Sequence, residues 1–196
     1  MGPVDIDALV RSVLEQSPLR FTATTDRVDA TPAFRLRAEA VAMAGWRTLE
    51  EMPGGLEIDE YDDRAVHVVG WDGARAAAAG RIVLPPGPLP TEDACGVRVH
   101  PEGRVVDVGR MVVAPGDRGP GHGVFGALLA SLYLEVRRRG FEVACGMMSP
   151  AVRVMCRQLG ITLELLGEDR SYWGDLRAPV RFDVRGSASS IRERWA

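Results

Sequence analysis

Lysine is absent from this sequence, and all 24 of its basic residues are arginine. The chain therefore has no lysine for Schiff-base chemistry and none to complete a Gly-Lys-Ser/Thr phosphate-binding loop. Its 27 acidic residues outnumber the arginines and give a formal net charge of −3. Because nucleic acids and anionic membranes both attract basic surfaces, we expect neither of them as a partner.

Cysteine and histidine are also scarce, with three of each. Cys95, Cys145 and Cys156 are odd in number and form no Cys-x-x-Cys pair, so neither a disulfide framework nor a zinc site is predicted. The histidines have no partner at metal-ligand spacing, and we expect no metal. His67 alternates with apolar neighbours, so we expect it to face solvent or to be a core residue with satisfied hydrogen bonds.

The sequence has no apolar run that approaches the length of a membrane span. Its first residues lack the basic segment and apolar core of a signal peptide, so a cytoplasmic protein is predicted. A length of 196 residues suits one domain, which we assign to residues 1–185. Residues 186–196 are expected to form a flexible C-terminal tail.

The spacing of the apolar residues predicts helices interspersed with strands. Helices are expected over residues 5–16, 31–46, 123–139 and 150–159. Strands are expected over residues 21–24, 66–71, 74–84, 104–114, 141–148, 161–167 and 179–184. Thr31 is expected to cap the second helix, and residues 85–103 are expected to form a long surface loop. This pattern predicts an α/β protein in which helices flank a mixed, mostly antiparallel sheet.

A glycine-rich segment joins the strand over residues 104–114 to the following amphipathic helix. Free backbone N–H groups and the positive dipole end at a helix N-terminus together form an anion site, which Arg118 can strengthen. The spacing Gly121-x-Gly123-x-x-Gly126 also fits a dinucleotide-binding fingerprint. The acidic residue expected about 20 positions further on is missing, which argues against that alternative. An ordinary glycine-rich turn is the other alternative.

The run Arg118-x-x-Gly121-x-Gly123 resembles the pyrophosphate-binding motif of the Gcn5-related N-acetyltransferase (GNAT) superfamily. The resemblance extends over residues 104–166, with a strand before the motif and a helix, strand and short helix after it. It implies the GNAT fold and coenzyme A as a co-substrate. The residues that it assigns to coenzyme A are Met111, Val112, Val113, Arg118, Gly119, Pro120, Gly121, His122 and Gly123.

A second resemblance lies in the order of four segments, FRLRAEAVAMAGW, GLEIDEYDD, GRIVLPP and DVGRMVV. This order is similar to that of the acyl-homoserine-lactone synthases and the N-acyl amino acid synthases, which are GNAT relatives. It implies that the acceptor substrate contacts Arg37, Trp46, Asp59, Asp62 and Arg81, and that catalysis involves Glu57, Asp107 and Arg110. The sequence departs from the lactone synthases at two points. It has Asp107 where they often have Glu, and it has the complete glycine loop that they usually lack. Both departures argue against a lactone product.

Transfer to an amine requires a proton acceptor, because an ammonium must lose a proton before it attacks a thioester. Glu57 is the first candidate and Asp107 the second, while ion pairs in a solvated loop are the structural alternative. Asp107 and Arg110 are three residues apart on a strand and point to opposite faces unless a bulge realigns them. We expect such a bulge at Gly109.

Two further groups are needed to complete acyl transfer. A free backbone N–H near Met111 or Val112 is expected to bind the thioester carbonyl as its oxygen gains charge. Many GNAT enzymes protonate the leaving thiolate with a tyrosine seven residues after the position of Ser149, where this chain has Cys156. Tyr172 is the alternative donor of that proton.

The sequence thus predicts an acyltransferase that moves an acyl group from acyl-CoA, or from the phosphopantetheine of an acyl carrier protein, to a small-molecule primary amine. The enzyme is expected to be a monomer or homodimer. A non-catalytic acyl-CoA-binding sensor or accessory protein and an acyl-thioester decarboxylase or loading enzyme are the alternatives. A long acyl chain requires an apolar tunnel, for which the candidate lining residues are Met147, Met148, Met155 and Leu163.

Overall fold

A computed structural model describes residues 6–118, 123–183, 186–187 and 190. The helices are α1 (Ile6–Glu15), α2 (Thr31–Met43), α3 (Pro90–Cys95), α4 (Gly123–Arg138) and α5 (Pro150–Gln158). The strands are β1 (Arg20–Thr24), β2 (Ala65–Asp72), β3 (Arg75–Val83), β4 (Val105–Val113), β5 (Val143–Met148), β6 (Leu163–Leu165), β7 (Arg170–Tyr172) and β8 (Asp175–Asp183). Short 3₁₀ turns cover Pro53–Gly55, Glu60–Arg64 and Pro115–Asp117. Gly119, Pro120, Gly121, His122 and most of the predicted tail lie outside the described residues.

The strands form one sheet in the order β1-β2-β3-β4-β5-β8-β6, and β7 pairs with β8. Neighbouring strands are antiparallel except for β4 and β5, which run parallel. The two-residue Asp72-Gly73 signal is confirmed as the turn between β2 and β3. The prediction of a mixed, mostly antiparallel sheet flanked by helices is therefore confirmed.

Strands β4 and β5 pair over a short distance and then separate. Within the described residues, their register runs from Val105 opposite Val143 to Asp107 opposite Cys145. Just beyond it, a Cβ on Gly146 would lie 2.5 Å from the Val108 carbonyl oxygen, so only glycine fits at this contact. Strand β5 continues along β8 instead, which opens a cleft between β4 and β5.

The two faces of the sheet carry different helices. Helix α4 covers one face, where its Leu128 and Leu132 pack against the strands, and α1 packs against α4. Gly80 of β3 permits this close approach, since a Cβ there would lie 3.0 Å from a Leu132 methyl carbon. Helix α2 packs on the opposite face, where Leu36 contacts a small apolar cluster. The charged side chains considered below lie on this second face.

Two local predictions are wrong. Thr31 is not the cap of α2 but its first helical residue. Its hydroxyl donates to the Arg27 carbonyl oxygen at 3.1 Å and does not cap the helix. The predicted surface loop over 85–103 contains the short helix α3, whose Glu92 is buried. The Glu92 carboxylate accepts from the backbone N–H groups of Leu89 at 3.1 Å and Val99 at 2.8 Å, which folds the proline-rich segment onto the sheet.

Candidate active site

A bulge in β4 determines where Arg110 points. Arg81 of β3 pairs with Gly109 and Ala79 pairs with Val112, so two residues of β4 lie opposite one residue of β3. Arg110 has a φ of +51°, in the left-handed region that non-glycine residues rarely adopt. The bulge is therefore confirmed, but it begins at Arg110 and not at Gly109, which stays paired in the ladder.

Six charged side chains meet on the α2 face of the sheet, and we call them the charge cluster. They are Arg37, Glu57, Asp59, Asp62, Arg81 and Arg110. Every one of them was predicted from the sequence to be a site residue. With three arginines and three carboxylates, the cluster has no net charge.

The buried centre of the cluster is formed by Arg37 and its partners. Arg37 donates from its two Nη nitrogens to the oxygens of Asp62 at 2.9 and 3.1 Å, and from Nε to Glu57. Arg81 also donates to Asp62, at 2.8 Å, and to Asp59. Arg37, Glu57, Asp62 and Arg81 are each at most 3% exposed, so these ion pairs are shielded from water.

Arg110 connects this centre to the more exposed side of the cluster. Its Nε donates to Glu57 Oε1 at 3.1 Å and its Nη2 to Asp59 Oδ2 at 2.8 Å. Both oxygens of Glu57 therefore accept hydrogen bonds from guanidinium groups. These two bonds stabilise the charged form of Glu57 and leave it fewer acceptor positions for a substrate proton.

A capping box orders the acidic segment. Asp59 precedes the 3₁₀ turn and accepts from the Tyr61 backbone N–H at 3.0 Å, while Asp62 accepts from the Asp59 N–H at 2.8 Å. The Glu-x-Asp-x-x-Asp spacing thus folds locally into a turn that presents its carboxylates to the arginines. Burial alone would raise the pKa of Asp62, but the Arg37 hydrogen bonds and the Arg81 charge outweigh it and hold this pKa well below its usual range.

Asp107 lies apart from these ion pairs. Its Oδ2 accepts from the Thr91 backbone N–H at 2.8 Å and contacts Cys145 Sγ at 3.6 Å. It makes no ion pair with any residue that the structure describes, although the bulge turns Arg110 to the same face. Burial raises the pKa of Asp107 despite the hydrogen bonds from Thr91, so its chemistry differs from that of the charge cluster.

His67 is buried beside the charge cluster, so the expectation of a core residue is confirmed, whereas the expected hydrogen bonds are missing among the described residues. It is 1% exposed, and neither ring nitrogen has a hydrogen-bond partner among the described residues. The ring packs edge-on against Phe34, with 4.9 Å between the centroids. Burial lowers the pKa of His67, so the ring remains neutral although Asp62 Oδ1 lies 4.0 Å away.

A cavity of about 890 Å³ extends from the charge cluster along β4 to the start of α4. Glu57 and Arg110 line it at the cluster, and Arg118 lines it near α4. The predicted coenzyme-A residues Met111, Val112 and Val113 form part of its wall. The Arg118 side chain is held there because its Nε donates to the Val113 carbonyl oxygen at 3.0 Å.

The hairpin of β7 and β8 also borders this cavity, and the sequence prediction missed β7. Its turn residues Trp173 and Gly174 have φ values of 51° and 68°, the positive pair that a type I′ turn requires. The Arg110 guanidinium lies 4.2 Å from the centroid of the Trp173 ring. Trp46 packs against Gly174, where a Cβ would collide with the indole. The Trp-Gly pair between two short runs was the sequence signal for this hairpin.

A second cavity of about 360 Å³ lies among α1, α4 and α5 and is lined mostly by apolar side chains. Met111, Met155 and Gln158 line both cavities, so the two adjoin. Of the four predicted tunnel residues, Met148 and Met155 line this cavity. Met147 instead contacts Cys95 Sγ at 3.5 Å, and Leu163 pairs with Phe182 in the sheet, so neither lines it.

The two candidates for protonating the leaving thiolate lie in different places. Cys156 lines the second cavity at 1% exposure, and burial raises the pKa of its thiol to about 11. Tyr172 is half-buried on β7, beside the Arg177 guanidinium. Neither lines the large cavity.

The described residues contain no group of three or more His, Cys, Asp or Glu side chains that could hold a metal ion. Within the same part of the chain, no helix has both the length and the apolar character needed to cross a bilayer.

No protein-family model and no curated protein sequence matches this chain, whereas solved structures do. The acyl-homoserine-lactone synthase LasI matches with a TM-score of 0.69 and 14% identity, over 85% of this chain and 89% of LasI. BjaI, a CoA-dependent acyl-homoserine-lactone synthase solved with SAM and isopentyl-CoA, matches with a TM-score of 0.70 and 18% identity, over 90% and 89%.

A third similar solved structure is named for a different product, an N-acyl amino acid. FeeM, an N-acyl amino acid synthase from uncultured soil microbes, matches with a TM-score of 0.64 and 15% identity, over 90% of this chain and 97% of FeeM. At such identities the likeness concerns the fold. This chain has the GNAT-type fold, in the form that these acyl-homoserine-lactone and N-acyl amino acid synthases share.

Proposed function

We propose that this protein is an N-acyltransferase that moves an acyl group from a pantetheine thioester to the primary amine of a small molecule. The observation that carries the proposal is the continuous cavity, which joins Arg118 and the start of α4 to the carboxylates beside Arg110. A thioester donor and an amine acceptor can meet in it at the bulged part of β4. The acyl-transferring synthases that share the fold support this proposal.

In the proposed reaction the amine nitrogen attacks the thioester carbonyl carbon. The C–N bond forms and the C–S bond breaks. The ammonium nitrogen gives up two protons in total, of which one ends on the thiolate sulfur and one is released. Beyond Asp107, the edge of β4 that faces the cleft has no paired strand among the described residues. A backbone N–H near Met111 or Val112 on this edge is the proposed donor to the carbonyl oxygen.

Two carboxylates, Glu57 in the charge cluster and Asp107 apart from it, are candidate proton acceptors with different properties. Glu57 lines the cavity, which favours it geometrically, but both of its oxygens are bonded to arginines. Asp107 has a raised pKa and no ion pair with a described residue, which suits a base, but it does not line either cavity. We propose Glu57 as the first acceptor and Asp107 as the second.

The donor is coenzyme A or the phosphopantetheine of a carrier protein, and both place the same arm in the cleft. The adjoining apolar cavity supports a donor with an acyl chain longer than acetyl. BjaI, a solved structure with this fold, contains isopentyl-CoA, which supports the CoA form of the donor.

Two observations favour a second candidate function, a non-catalytic acyl-CoA sensor. Both oxygens of Glu57 accept hydrogen bonds from arginines, and Cys156 lies at the position of the usual tyrosine. Incubation with acetyl-, octanoyl- and palmitoyl-CoA and a panel of amines, with thiol release and product mass measured, separates the two. An amide product supports the transferase. Binding of coenzyme A without thiol release supports the sensor. Thiol release that requires an added acyl carrier protein and no amine supports a loading enzyme.

A further inference from the structure

The tip of the hairpin between β2 and β3 is joined to the chain that leaves β4. The two Nη nitrogens of Arg75 donate to the two carboxylate oxygens of Asp117, at 2.8 and 2.9 Å. Arg75 Nη2 also donates to Asp72 at the end of β2, at 2.8 Å, which holds the guanidinium in place. Arg75 and Asp117 thus adopt the bidentate geometry in which an arginine and a carboxylate pair most strongly.

This ion pair continues the contact between β3 and β4 after the strands end. The last backbone bond between the two segments runs from the Ala114 N–H to the Ala77 carbonyl oxygen, at 2.8 Å. The 3₁₀ turn Pro115–Asp117 follows directly, and Arg75 holds its last residue. The direction in which the chain reaches Arg118 therefore depends on the Arg75–Asp117 pair.

Asp117 and Arg118 carry opposite charges, and both line the large cavity. The Asp117 side chain is 15% exposed, whereas that of Arg75 is 53% exposed. Hydrogen bonds from Arg75 lower the pKa of Asp117, so this carboxylate is negatively charged at neutral pH. The proposed function places the donor's diphosphate near Arg118 and the start of α4. An unpaired carboxylate at this wall would repel that diphosphate.

We propose that Arg75 is a positioning residue for the donor, which through Asp117 fixes the turn before Arg118 and neutralises a negative charge beside the diphosphate. The inference rests on the proposed function and adds to it a residue that acts on donor affinity from outside the cavity. Arg75 is not among the residues that line either described cavity. Its effect should therefore require two features, the phosphates of the donor and the carboxylate of Asp117.

The test compares octanoyl-CoA with octanoyl-pantetheine, which has the same thioester and pantetheine arm but no phosphates. Binding of each to the full-length protein is measured by calorimetry, and thiol release with a panel of amines is measured in parallel. The variants are Arg75→Gln, Arg75→Lys, Asp117→Ala and the double variant of Arg75→Gln with Asp117→Ala. Arg27→Gln is the matched control, because Arg27 also forms an exposed ion pair between distant segments, with Asp63, but lines neither cavity.

We expect Arg75→Gln to weaken octanoyl-CoA binding about 3- to 10-fold, as for the loss of one charge interaction near a surface. Octanoyl-pantetheine affinity and kcat should change by less than about twofold, since neither depends on the phosphates. Arg75→Lys keeps the charge and should recover much of the affinity, while Arg27→Gln should leave it unchanged. In the Asp117→Ala background, Arg75→Gln should have less than about a twofold further effect, because its partner is already absent.

Three results overturn the proposal. They are an unchanged octanoyl-CoA affinity in Arg75→Gln, an equal loss of affinity for octanoyl-pantetheine, and the same loss in the Asp117→Ala background. The last of these would assign Arg75 a direct contact with the donor. General damage to the fold weakens the binding of both thioesters alike, so their comparison separates positioning of the donor from a merely structural role.

The parallel readouts keep this proposal distinct from the transferase itself. Octanoyl-CoA binding that depends on Arg75, without thiol release, supports the Arg75 role and contradicts the acyltransferase. Amide formation with the same KM for octanoyl-CoA in the wild type and in Arg75→Gln supports the acyltransferase and contradicts the Arg75 role. Amide formation from an acyl carrier protein, without octanoyl-CoA binding by the wild type, has the same meaning.

Discussion

Arg37 and Asp62 form a bidentate ion pair in which two Nη nitrogens donate to the two carboxylate oxygens at 2.9 and 3.1 Å. Arg81 donates to the same carboxylate at 2.8 Å. Asp62 therefore lies between two buried guanidinium groups and also fixes the turn that follows Asp59. The last acid of the Glu-x-Asp-x-x-Asp segment thus has a structural role in addition to any contact with substrate.

Asp62→Asn is expected to destabilise the protein by about 3–5 kcal/mol, because it leaves buried guanidinium charge without its partner. Urea unfolding at neutral pH, followed by circular dichroism, measures the change. Asp63→Asn is the matched control, since Asp63 is exposed and, among the described residues, forms an ion pair only with the exposed Arg27. Its effect should stay within about 0.5 kcal/mol. Equal effects of the two substitutions would contradict this role for Asp62.

The stability should depend on pH through the same carboxylate. The pKa of Asp62 is lower in the folded chain than its ordinary value of 3.8. The unfolded chain therefore takes up the proton first, so this contribution is complete above about pH 4 and is lost as the pH falls further. Thermal unfolding between pH 6 and pH 2 should show a steeper acid decline in the wild type than in Asp62→Asn. The same pH dependence of stability in the wild type and in Asp62→Asn would contradict this role of the Asp62 carboxylate.

Gly123→Val is expected to weaken coenzyme A binding about tenfold or more, because a side chain at the first residue of α4 hinders a phosphate that approaches the backbone. In the protein without ligand, a Cβ at Gly123 meets no atom within 4 Å. The substitution should therefore not prevent folding. Gly116→Val is the control, since Gly116 has the same free space but precedes the loop. Calorimetry compares the coenzyme A affinities of the two variants. An unchanged affinity in Gly123→Val would contradict the predicted donor site.

Glu57→Gln and Asp107→Asn together identify the proton acceptor. If Glu57 accepts the proton, Glu57→Gln should lower kcat about 100-fold or more while sparing donor affinity. Because burial raises the pKa of Asp107, its charged form costs stability as the pH rises through that pKa. Asp107→Asn should therefore be at least as stable as the wild type at neutral pH.

The pH–rate profile completes this comparison. If Asp107 is the base, the rate should fall on the acid side at a pH above the ordinary aspartate pKa, and Asp107→Asn should remove that limb. Near-normal turnover in Glu57→Gln would exclude Glu57, and an unaltered acid limb in Asp107→Asn would exclude Asp107.

Ala130→Phe is expected to shorten the acyl chain that the protein accepts. Ala130 is buried on α4 and lines the second cavity, so a phenyl ring there fills space that a long chain would need. We expect kcat/KM for palmitoyl-CoA to fall at least about tenfold, with acetyl-CoA as the internal control staying within about threefold. A parallel loss with both donors would indicate general damage to the fold.

Much of the fold follows from local sequence patterns. Alternation of apolar residues identifies a strand, the spacing of the apolar face identifies α4, and Asp72-Gly73 identifies a tight hairpin, because each pattern depends on neighbouring residues. The membership of the charge cluster could also be predicted, since its segments lie in a recognisable order along the chain. None of these patterns determines which atoms meet.

Apart from α3 and β7, the sequence by itself determined the type and order of the elements, and also the glycine-rich entry to α4 and the residues from which a site could be built. Tertiary structure decided that the bulge falls at Arg110, that Glu57 is bonded to two arginines and that Asp107 lies apart from them. The physical reason is that strand register and side-chain pairing join residues far apart in the chain, here 16 to 53 positions. Their energies depend on burial and on all neighbouring charges at once, which no local pattern contains.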